Sequence, residues 1–412
     1  MKKVSLEDYI PLVGKTTIEE IKFLAQQLKG TRIQHINSTR TGGGVAEILN
    51  QLVPLMNEIG LDTKWTVIEG TEEFFDITKS FHFALHGART RITQKMFQIY
   101  KKMQVANQEK IDKDADFVII HDPQPLGLSQ FRQNQKSKWV WCCHIDISEA
   151  DTRVWRFLSP FVDLVDSAIF HIPQFTKQDL DIPQYVMPPF IDPFSDKNRE
   201  LTQAEIHKFL KKYSIPVDER FILQVSRFDR LKDPLGALRA FKIVQKSFKV
   251  PFVYMGNFAP DDPPGKRVYE EFIQEAQGIP GVKVIVNPDP NDLVVNAFQR
   301  GAYVVLQKSI REGFGLVVTE AMWKKRPVIG GNTGGIRYQI VDEATGFLVN
   351  TVEGAAFWIR WLLSNPKLAT LLGKQAYNRV RANFLPPHYL RNLLCVLLAV
   401  KHPGRGIDYL NK

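Results

Sequence analysis

Short apolar runs alternate with helical patterns along almost the whole chain, and this alternation limits the possible folds more than any other feature. An apolar run followed by an amphipathic stretch is typical of βαβ units, whose parallel strands are buried on both faces. The sequence therefore predicts an α/β fold with mostly parallel sheets. The predicted strands are Thr31–Ile36, Lys64–Ile68, Phe117–Ile120, Lys138–Cys142, Ser167–Phe170, Phe221–Val225, Phe252–Met255, Val282–Val286, Ala302–Leu306 and Pro327–Ile329. The predicted helices are Ile18–Leu28, Ile92–Lys110, Pro234–Gln245, Asp292–Gln299, Val352–Leu363, Pro366–Asn383, one that starts at Val45 and a last one near His388–Val400.

The length of 412 residues exceeds what one hydrophobic core usually supports, so we expect two domains. The proline-bearing segment Met187–Asn198 interrupts the alternation and has the composition of a connector. We expect a Rossmann-like domain over residues 1–193, completed by a C-terminal helix within 386–412, and a second Rossmann-like domain over 194–385. Two such domains facing across a deep cleft would hold a ligand between them.

The composition argues against several classes of protein. The net charge is +10 and the pI about 9.3, but the 54 basic and 44 acidic residues are spread along the chain. Because no basic run carries interleaved aromatic residues, no nucleic-acid partner is expected. No apolar run is long enough for a membrane span and the N-terminus lacks a signal-peptide core, so a cytoplasmic location is expected. The three cysteines have neither disulfide nor zinc-site spacing.

The segment Arg311–Glu320 carries the strongest functional signal. Its Gly-Phe-Gly turn follows an apolar run and opens a helical pattern, with Glu312 before the turn and Glu320 inside the helix. Free N–H groups at such a helix N-terminus favour a phosphate, and nearby glutamates can accept hydrogen bonds from hydroxyl groups. A phosphate flanked by two polyols describes a sugar nucleotide. The alternative is that Glu312 caps the turn and Glu320 is a solvated helix residue.

Two further segments supply groups that suit a diphosphate. Arg227 and Lys232 lie at the end of a predicted strand, where an arginine fork and a lysine point charge would stabilise a departing pyrophosphate. The glycine turn Gly42–Gly44 joins a strand to a helix and lets a phosphate or sugar approach the backbone. It does not match GxGxxG, so a dinucleotide site is weakly indicated. The alternatives are two solvated cations and a simple chain reversal.

Two histidines follow predicted strands, which places both at one edge of the sheet. His144 opens the tract HIDIS and His121 opens HDPQP. A histidine there can donate a hydrogen bond to a substrate hydroxyl or stabilise charge near a reacting carbon. Asp146 and Ser148 are candidates to hold an acceptor, and a structural role for each histidine is the alternative. Since no HExxH or CxxC pattern is present, no metal site is predicted.

At these motifs the sequence resembles the retaining glycosyltransferases of the two-domain GT-B type, family 4. Within that family it is similar to the synthases that join glucose from a nucleotide donor to free glucose, giving trehalose. The glutamate motif is shared across the superfamily, whereas HIDIS, HDPQP and VNAFQR are more specific to this subgroup. The tracts that carry the resemblance are Thr41–Leu49, His121–Pro125, His144–Ser148, Val186–Pro193, Ser226–Asp229, Val295–Arg300, Ser309–Leu316 and Val318–Lys324.

The resemblance implies a role for each candidate residue. Glu320 would bind the ribose, Glu312 the donor glucose hydroxyls, and His144 the donor glucose near the reacting carbon. The catalytic set would be Glu312, His144, Arg227 and Lys232. The groups facing the diphosphate would be Arg227, Lys232, Gly43, Gly44, Gly315, Leu316 and Val317. The acceptor would contact Asp146, Ser148 and His121, on the side of the N-terminal domain.

The resemblance also implies the reaction and the partners. The enzyme would move α-glucosyl from a nucleoside diphosphate glucose (ADP- or UDP-glucose) to glucose with retention, forming α,α-trehalose. No cofactor would be required, although Mg²⁺ could stimulate, and the protein would form a homodimer. The competing hypotheses are another retaining hexosyltransferase, such as a sucrose-phosphate synthase-like enzyme, a trehalose phosphorylase and a non-catalytic sugar-nucleotide sensor. The tract Gly330–Gly335 departs from the family pattern because it lacks a basic residue near its start.

Overall fold

The computed structural model describes residues 4–41, 43–134, 136–257, 263–286 and 291–404. The chain divides into two compact units: unit 1 comprises Met1–Phe190 with Pro386–Lys412, and unit 2 comprises Ile191–Leu385. Each unit has its own parallel sheet and its own hydrophobic core. The predicted α/β fold with parallel sheets is therefore confirmed.

Unit 1 is built on a parallel sheet whose described strands are ordered β2-β1-β3-β4-β5-β6. These strands are β1 (Arg32–Asn37), β2 (Asp62–Val67), β3 (Phe117–His121), β4 (Lys138–Cys143), β5 (Ser167–Phe170) and β6 (Gln184–Val186). Strands β3 and β5 are buried along their whole length, which is why all but one residue of each is apolar. The chain leaves β1 for β2 and then returns past β1 to β3. The carboxyl ends of β1 and β3 therefore form a topological switch point, where α/β folds bind ligands.

The helices of unit 1 that precede the connector begin at recognisable caps. The hydroxyl of Thr71 accepts the N–H of Phe74 at the start of α4, and Asp151 caps α6 in the same way. These helices are α1 (Ile10–Val13), α2 (Lys15–Gln26), α3 (Gly44–Glu58), α4 (Glu72–Leu85), α5 (Gln94–Asn107) and α6 (Thr152–Val162).

Unit 2 has a second parallel sheet, with its described strands ordered β12-β11-β10-β7-β8-β9. These strands are β7 (Ile222–Val225), β8 (Phe252–Gly256), β9 (Val282–Val286), β10 (Val304–Gln307), β11 (Val328–Gly331) and β12 (Phe347–Val349). The switch point of this sheet lies between β7 and β10, because the strand order reverses there. The helices of unit 2 are α7 (Gln203–Lys212), α8 (Pro234–Val244), α9 (Pro263–Ala276), α10 (Asn291–Gly301), α11 (Leu316–Trp323), α12 (Ile336–Gln339), α13 (Val352–Ser364) and α14 (Pro366–Asn383).

The last helix, α15 (Pro386–Lys401), belongs to unit 1. Its apolar face, which includes Leu390 and Leu394, is buried in the same core cluster as Ile21 and Leu24 of α2. Unit 1 is thus assembled from two segments that are distant in sequence. Within the described residues, no helix combines the length and apolarity needed to cross a bilayer.

All ten predicted strands are present, with ends shifted by no more than two residues. Strands β6 and β12 were not predicted because three residues are too few to show a period. Helices α1, α4, α6, α7, α9 and α12 were also missed, although Thr71 and Asp151 are N-cap signals visible in the sequence. Gly42, part of the predicted glycine turn, lies outside the described residues.

Candidate active site

A pocket of about 190 Å³ lies at the switch point of unit 1, against the N-terminus of α3. The residues that line it are Asn37, Ser38, Thr39, Gly43, Gly44, Val45, His121 and Asp122. The structure thus brings together Gly43, Gly44 and His121, which were predicted from separate segments. Gly43 is the N-cap of α3 and no side chain caps that helix. The helix N-terminus beside the pocket therefore offers N–H groups to a ligand.

Asp122 is a pocket residue that the sequence analysis did not single out. Its φ of 63° lies in the left-handed region, a conformation that costs a non-glycine residue about 1 kcal/mol or more. Its N–H donates to the carbonyl of Cys142 (2.9 Å), its carbonyl accepts from Trp141 Nε1 (3.1 Å), and its Oδ1 accepts the backbone N–H of His144 (2.8 Å). Burial raises the pKa of this carboxyl to about 7. A strained carboxylate held from three sides at a pocket wall is a candidate functional residue, and its place directly after a strand is the signal that could have found it.

Four histidine rings form a continuous chain at the carboxyl edge of the same sheet. His35 Nδ1 lies 2.9 Å from His121 Nε2, His121 Nδ1 lies 2.9 Å from His144 Nε2, and His144 Nδ1 lies 2.9 Å from His171 Nε2. All four rings are buried. Both ring nitrogens of His121 and of His144 are therefore engaged by other histidines. The contact of His144 with a donor sugar stays a prediction, and in this structure neither of its ring nitrogens is available for that contact.

The four rings make the stability of the protein sensitive to acid. Burial lowers the pKa of His35 and His144 from 6.5 to about 3, and lowers the pKa of His121 and His171 well below 6.5. A depressed histidine pKa contributes stability that is complete above pH 6.5 and is lost as the pH falls below it. The raised pKa of Asp122 has the opposite effect over the same pH range. The folded protein holds a proton on Asp122 that the unfolded chain has released, and this offsets the proton taken up by one histidine.

We therefore expect the unfolded chain to bind about three more protons than the folded protein near pH 5. The free energy of unfolding should then fall by roughly 4 kcal/mol for each unit by which the pH is lowered. Urea unfolding midpoints measured from pH 8 to pH 5 check this expectation. The variant His35→Asn removes one of these protons and should flatten the profile. Identical profiles in the wild type and the variant would contradict the assignment.

The predicted acceptor residues Asp146 and Ser148 lie just beyond β4 and bond to each other. The Asp146 Oδ1 accepts from the N–H of Ser148 at 2.9 Å and from its hydroxyl at 2.5 Å. Asp146 is buried and Ser148 is exposed. This local turn fixes the loop after β4, and the acceptor role of both residues stays a prediction.

In unit 2 the switch point brings Lys232 and Glu312 together. Lys232 ends a 3-10 turn after β7 and Glu312 lies in the loop after β10, and their Nζ and Oε1 atoms are 2.5 Å apart. The Lys232 side chain is 19% exposed and that of Glu312 is 9% exposed. Ser309 donates its hydroxyl to Glu312 Oε2 (3.1 Å), and Gln224 Nε2 donates to the Lys232 carbonyl (3.1 Å). A cation and a carboxylate are thus held at the place where this fold binds ligands.

The Gly-Phe-Gly turn leads from Glu312 into α11, as the sequence predicted. Gly315 is the N-cap of α11 with φ 84° and ψ 61°, a left-handed conformation suited to glycine. No side chain caps the helix, so its first turn, with Leu316 and Val317, presents N–H groups without partners inside the helix. The positive end of the α11 dipole therefore follows shortly after Glu312 in the sequence, and Glu312 is the residue that pairs with Lys232.

Glu320 lies on the buried side of α11 and is 4% exposed. Lys197 Nζ lies 4.0 Å from its Oε1, and Lys324 one turn later donates to the Glu320 carbonyl (3.2 Å) and to Asn198 Oδ1 (2.8 Å). Burial lowers the pKa of Lys324. The sequence alternative of a solvated Glu320 is therefore wrong.

Arg227 differs from Lys232 in its surroundings. Its side chain is 62% exposed, and its guanidinium lies 3.4 Å from Asp229. Its carbonyl accepts a hydrogen bond from the hydroxyl of Tyr254 at 3.1 Å, which fixes the backbone but not the side chain. The structure thus places Arg227 at the same strand end as Lys232 with an exposed head group.

Two family models match the chain, one to each unit. The model described as trehalose synthase, N-terminal domain, matches residues 35–177, and the model described as glycosyl transferases group 1 matches residues 205–379. The trehalose synthase of Thermococcus litoralis is 43% identical over 397 residues, which are 95% of this chain and 96% of that protein. The chain belongs to the trehalose synthase family.

Other comparisons agree with this membership. The trehalose synthase of Rubrobacter xylanophilus is 38% identical and is covered to 95%. A solved structure titled trehalose-6-phosphate from E. coli bound with UDP-2-fluoro glucose superposes with a TM-score of 0.72 at 14% identity, covering 90% of this chain and 99% of that one. At that identity the likeness shows the fold alone, which is the GT-B glycosyltransferase fold. The match to the glycosyl transferases group 1 model and the trehalose synthase relatives show that this family member is a glycosyltransferase.

The family member's glycine tract Gly330–Gly335 packs against the glutamate loop. A Cβ on Gly331 would lie 2.0 Å from the Ser309 carbonyl oxygen, and one on Gly334 would lie 1.8 Å from the Glu312 carbonyl oxygen. The tract therefore fixes the backbone that carries Glu312. Its glycines are explained by close packing and need no ligand.

Replacing Gly334 with alanine should displace the loop of Glu312. Gly334 has φ +45° and no room for a Cβ, so we expect a loss of about 3 kcal/mol or more in the free energy of unfolding and a strong loss of activity. Gly278→Ala is the matched control, because Gly278 also has a positive φ but nothing lies within 4 Å. That control should lose about 1–2 kcal/mol and keep its activity. Similar unfolding curves for both variants would show that the contact between a Cβ at Gly334 and the Glu312 carbonyl does not lower the free energy of unfolding.

One group of possible metal ligands is found within the described residues, formed by His121, Cys142 and His144. The two rings already bond to each other and to further histidines. Burial also raises the pKa of the Cys142 thiol to about 12, which disfavours the thiolate that a metal requires. We assign no metal to this family member at these residues.

Proposed function

We propose that the protein is a retaining glycosyltransferase that moves α-glucosyl from a nucleoside diphosphate glucose to glucose, forming α,α-trehalose. The observation that carries the proposal is the Lys232–Glu312 pair at the switch point of unit 2, next to the uncapped N-terminus of α11. This arrangement supplies a cation and helix amides for a diphosphate and a carboxylate for sugar hydroxyls. The trehalose synthase relatives support the choice of product.

The donor roles are assigned to unit 2. Lys232, the exposed Arg227 head group and the amides of Gly315–Val317 would stabilise the diphosphate. Glu320 would accept hydrogen bonds from the ribose, and Glu312 from the hydroxyls of the donor glucose. Because Glu312 is already held by Ser309 and Lys232, its orientation is set before the sugar binds.

The acceptor roles are assigned to the pocket of unit 1. Asp122 would accept a hydrogen bond from a glucose hydroxyl. Gly43 and Gly44 line the same pocket and keep the donor-side role that the resemblance implies, in which the donor diphosphate approaches the N-terminus of α3. His121, Asp146 and Ser148 keep the acceptor-side roles that the resemblance implies. His144 would act near the reacting carbon through its backbone, since its ring nitrogens are engaged.

The chemical step is a displacement on one face of the sugar. The bond from C1 to the β-phosphate oxygen breaks, the bond from C1 to the acceptor oxygen forms, and the acceptor proton passes to the departing phosphate oxygen. The growing negative charge lies beside Lys232 and the α11 amides, which is where electrostatic stabilisation is most effective. No cofactor takes part in this scheme, and added Mg²⁺ is expected at most to stimulate.

The purified protein tests the proposal directly. It is incubated with ADP-, UDP- or GDP-glucose and free glucose, and the disaccharide is identified by NMR. α,α-Trehalose formed with at least one donor supports the proposal. Trehalose made from maltose without a nucleotide, phosphate-dependent cleavage of trehalose, transfer only to a sugar phosphate, or donor binding without turnover would each reject it in favour of another activity.

Asp122→Asn separates the acceptor role from the donor role. We expect kcat/KM for glucose to fall by about 10²-fold while donor affinity changes by less than about threefold. Because the pKa of Asp122 is about 7, wild-type kcat/KM for glucose should rise with pH through 7, and the variant should lose this rise. Asp114→Asn is the control, since that side chain is 82% exposed. An unchanged pH profile in Asp122→Asn would remove the residue from the acceptor site.

A further inference from the structure

The four-histidine chain ties together the carboxyl ends of four neighbouring strands. His35 lies in β1 and His121 ends β3, while His144 follows β4 and His171 follows β5. Strands β1, β3, β4 and β5 are adjacent in the sheet of unit 1. The four-histidine chain therefore runs across the same sheet edge that holds the pocket. Its three contacts are all between side chains.

Two residues of the four-histidine chain, His121 and His144, adjoin Asp122 directly. His121 precedes Asp122 in sequence and lines the pocket with it, and the backbone N–H of His144 donates to the Asp122 carboxylate at 2.8 Å. The His121 and His144 rings are stacked, with centroids 5.2 Å apart and an interplanar angle of 18°. A shift of either ring would move a segment that holds Asp122 in its strained conformation.

The pairing pattern restricts the protons of the rings. A neutral imidazole has one N–H and one bare nitrogen, so each inner ring donates at one contact and accepts at the other. The direction of donation must then be the same at all three contacts. It follows that all four rings carry their proton on Nδ1, or all four carry it on Nε2. Burial keeps the rings neutral, since the pKa of each is lowered.

We propose that His35 and His171 are positioning residues, which close a four-ring chain of one common tautomer and thereby hold His121, His144 and Asp122 at the pocket. This inference rests on the proposed function for its effect on activity, because Asp122 is the proposed acceptor ligand. The end rings touch no substrate. Each provides the outer hydrogen-bond partner that an inner ring needs in a buried site, where an unpaired nitrogen is costly.

Matched variants separate this role from packing. His35 bonds through Nδ1, which asparagine can imitate, and His171 bonds through Nε2, which glutamine can imitate. We expect His35→Leu and His171→Leu to lower kcat/KM for glucose at least about tenfold with donor affinity unchanged, while His35→Asn and His171→Gln stay within about threefold of the wild type. A packing role predicts the reverse order, since leucine suits a buried site better than an amide does. His207→Leu in unit 2 is the control and should leave both constants unchanged.

A second measurement does not depend on activity. In protein labelled with ¹⁵N-histidine, long-range proton–nitrogen NMR spectra at pH 7 should show four neutral rings with one common tautomer, assigned through the variants above. Charged rings or different tautomers among the four would overturn the proposal, as would folded leucine variants with normal kinetics. If the wild type makes no trehalose yet shows the common tautomer, the proposed function is rejected and the four-histidine chain is still supported. If the leucine variants do not fold, the NMR result on the wild type decides alone.

Discussion

Lys232→Ala is expected to lower kcat/KM about 10³-fold and to weaken nucleoside diphosphate binding about tenfold. The ammonium of Lys232 is half-buried at the switch point of unit 2 and lies 2.5 Å from Glu312. It would face phosphate charge both in the bound donor and in the transition state, where the charge grows. Both constants should therefore fall, and the chemical step should suffer more. Steady-state kinetics with the preferred donor and calorimetric titration with the nucleoside diphosphate measure the two effects.

The chain offers a matched control for this variant. Arg230 lies in the same 3-10 turn and its guanidinium lies 2.6 Å from Glu271, but the two side chains are 65% and 41% exposed. Such an exposed pair is worth about 1 kcal/mol or less. Arg230→Ala should therefore change neither constant by more than about twofold. A comparable loss in Arg230→Ala and Lys232→Ala would mean that charge in this turn matters in general and that Lys232 has no specific role.

Glu312→Ala is the second large expected effect, with turnover about 10²- to 10³-fold lower and nucleotide affinity changed by less than about threefold. The carboxylate would hold donor glucose hydroxyls, so its loss should disturb the reacting sugar and leave the nucleotide contacts intact. Glu312→Gln keeps the size and part of the hydrogen bonding, and should lie between the alanine variant and the wild type. Donor binding and single-turnover rates, measured separately, distinguish these outcomes.

The alanine variant also leaves a half-buried Lys232 ammonium without its carboxylate, which should reduce stability. Unfolding curves for Glu312→Ala and for the double variant with Lys232→Ala separate this effect from catalysis. Removing both partners should restore part of the stability and none of the turnover. Equal and small losses of turnover and nucleotide affinity in Glu312→Ala would contradict the role given to this residue.

The sequence was sufficient to predict the fold and to place Lys232, Glu312 and the start of α11 after strands of unit 2, while their roles stay predictions. Continuous apolar runs such as Ala302–Leu306 are strands whichever partners they take, and the turn at Gly315 signals a helix start by itself. Lys232 and Glu312 were each placed near the end of a strand of unit 2, but their contact at 2.5 Å was not predicted. Local pattern and topology thus determine these features.

The unit 1 half could be predicted only in part. His121 and His144 were found because each follows a strand, but His35 lies inside β1, and its meeting with His121 depends on the register between β1 and β3. Asp122 was missed because its importance lies in a backbone angle and in contacts with Trp141 and His144, which no local pattern reveals. Contacts between distant residues require the register, and a single sequence does not contain it.

The return of α15 to unit 1 has a consequence for the order in which the protein is made. A chain leaves the ribosome from its N-terminus, and domains usually complete in that order. Here the helix that covers Ile21 and Leu24 is synthesised only after all of unit 2. Unit 2 can therefore reach its final form first, while unit 1 keeps an uncovered apolar surface until α15 has been synthesised.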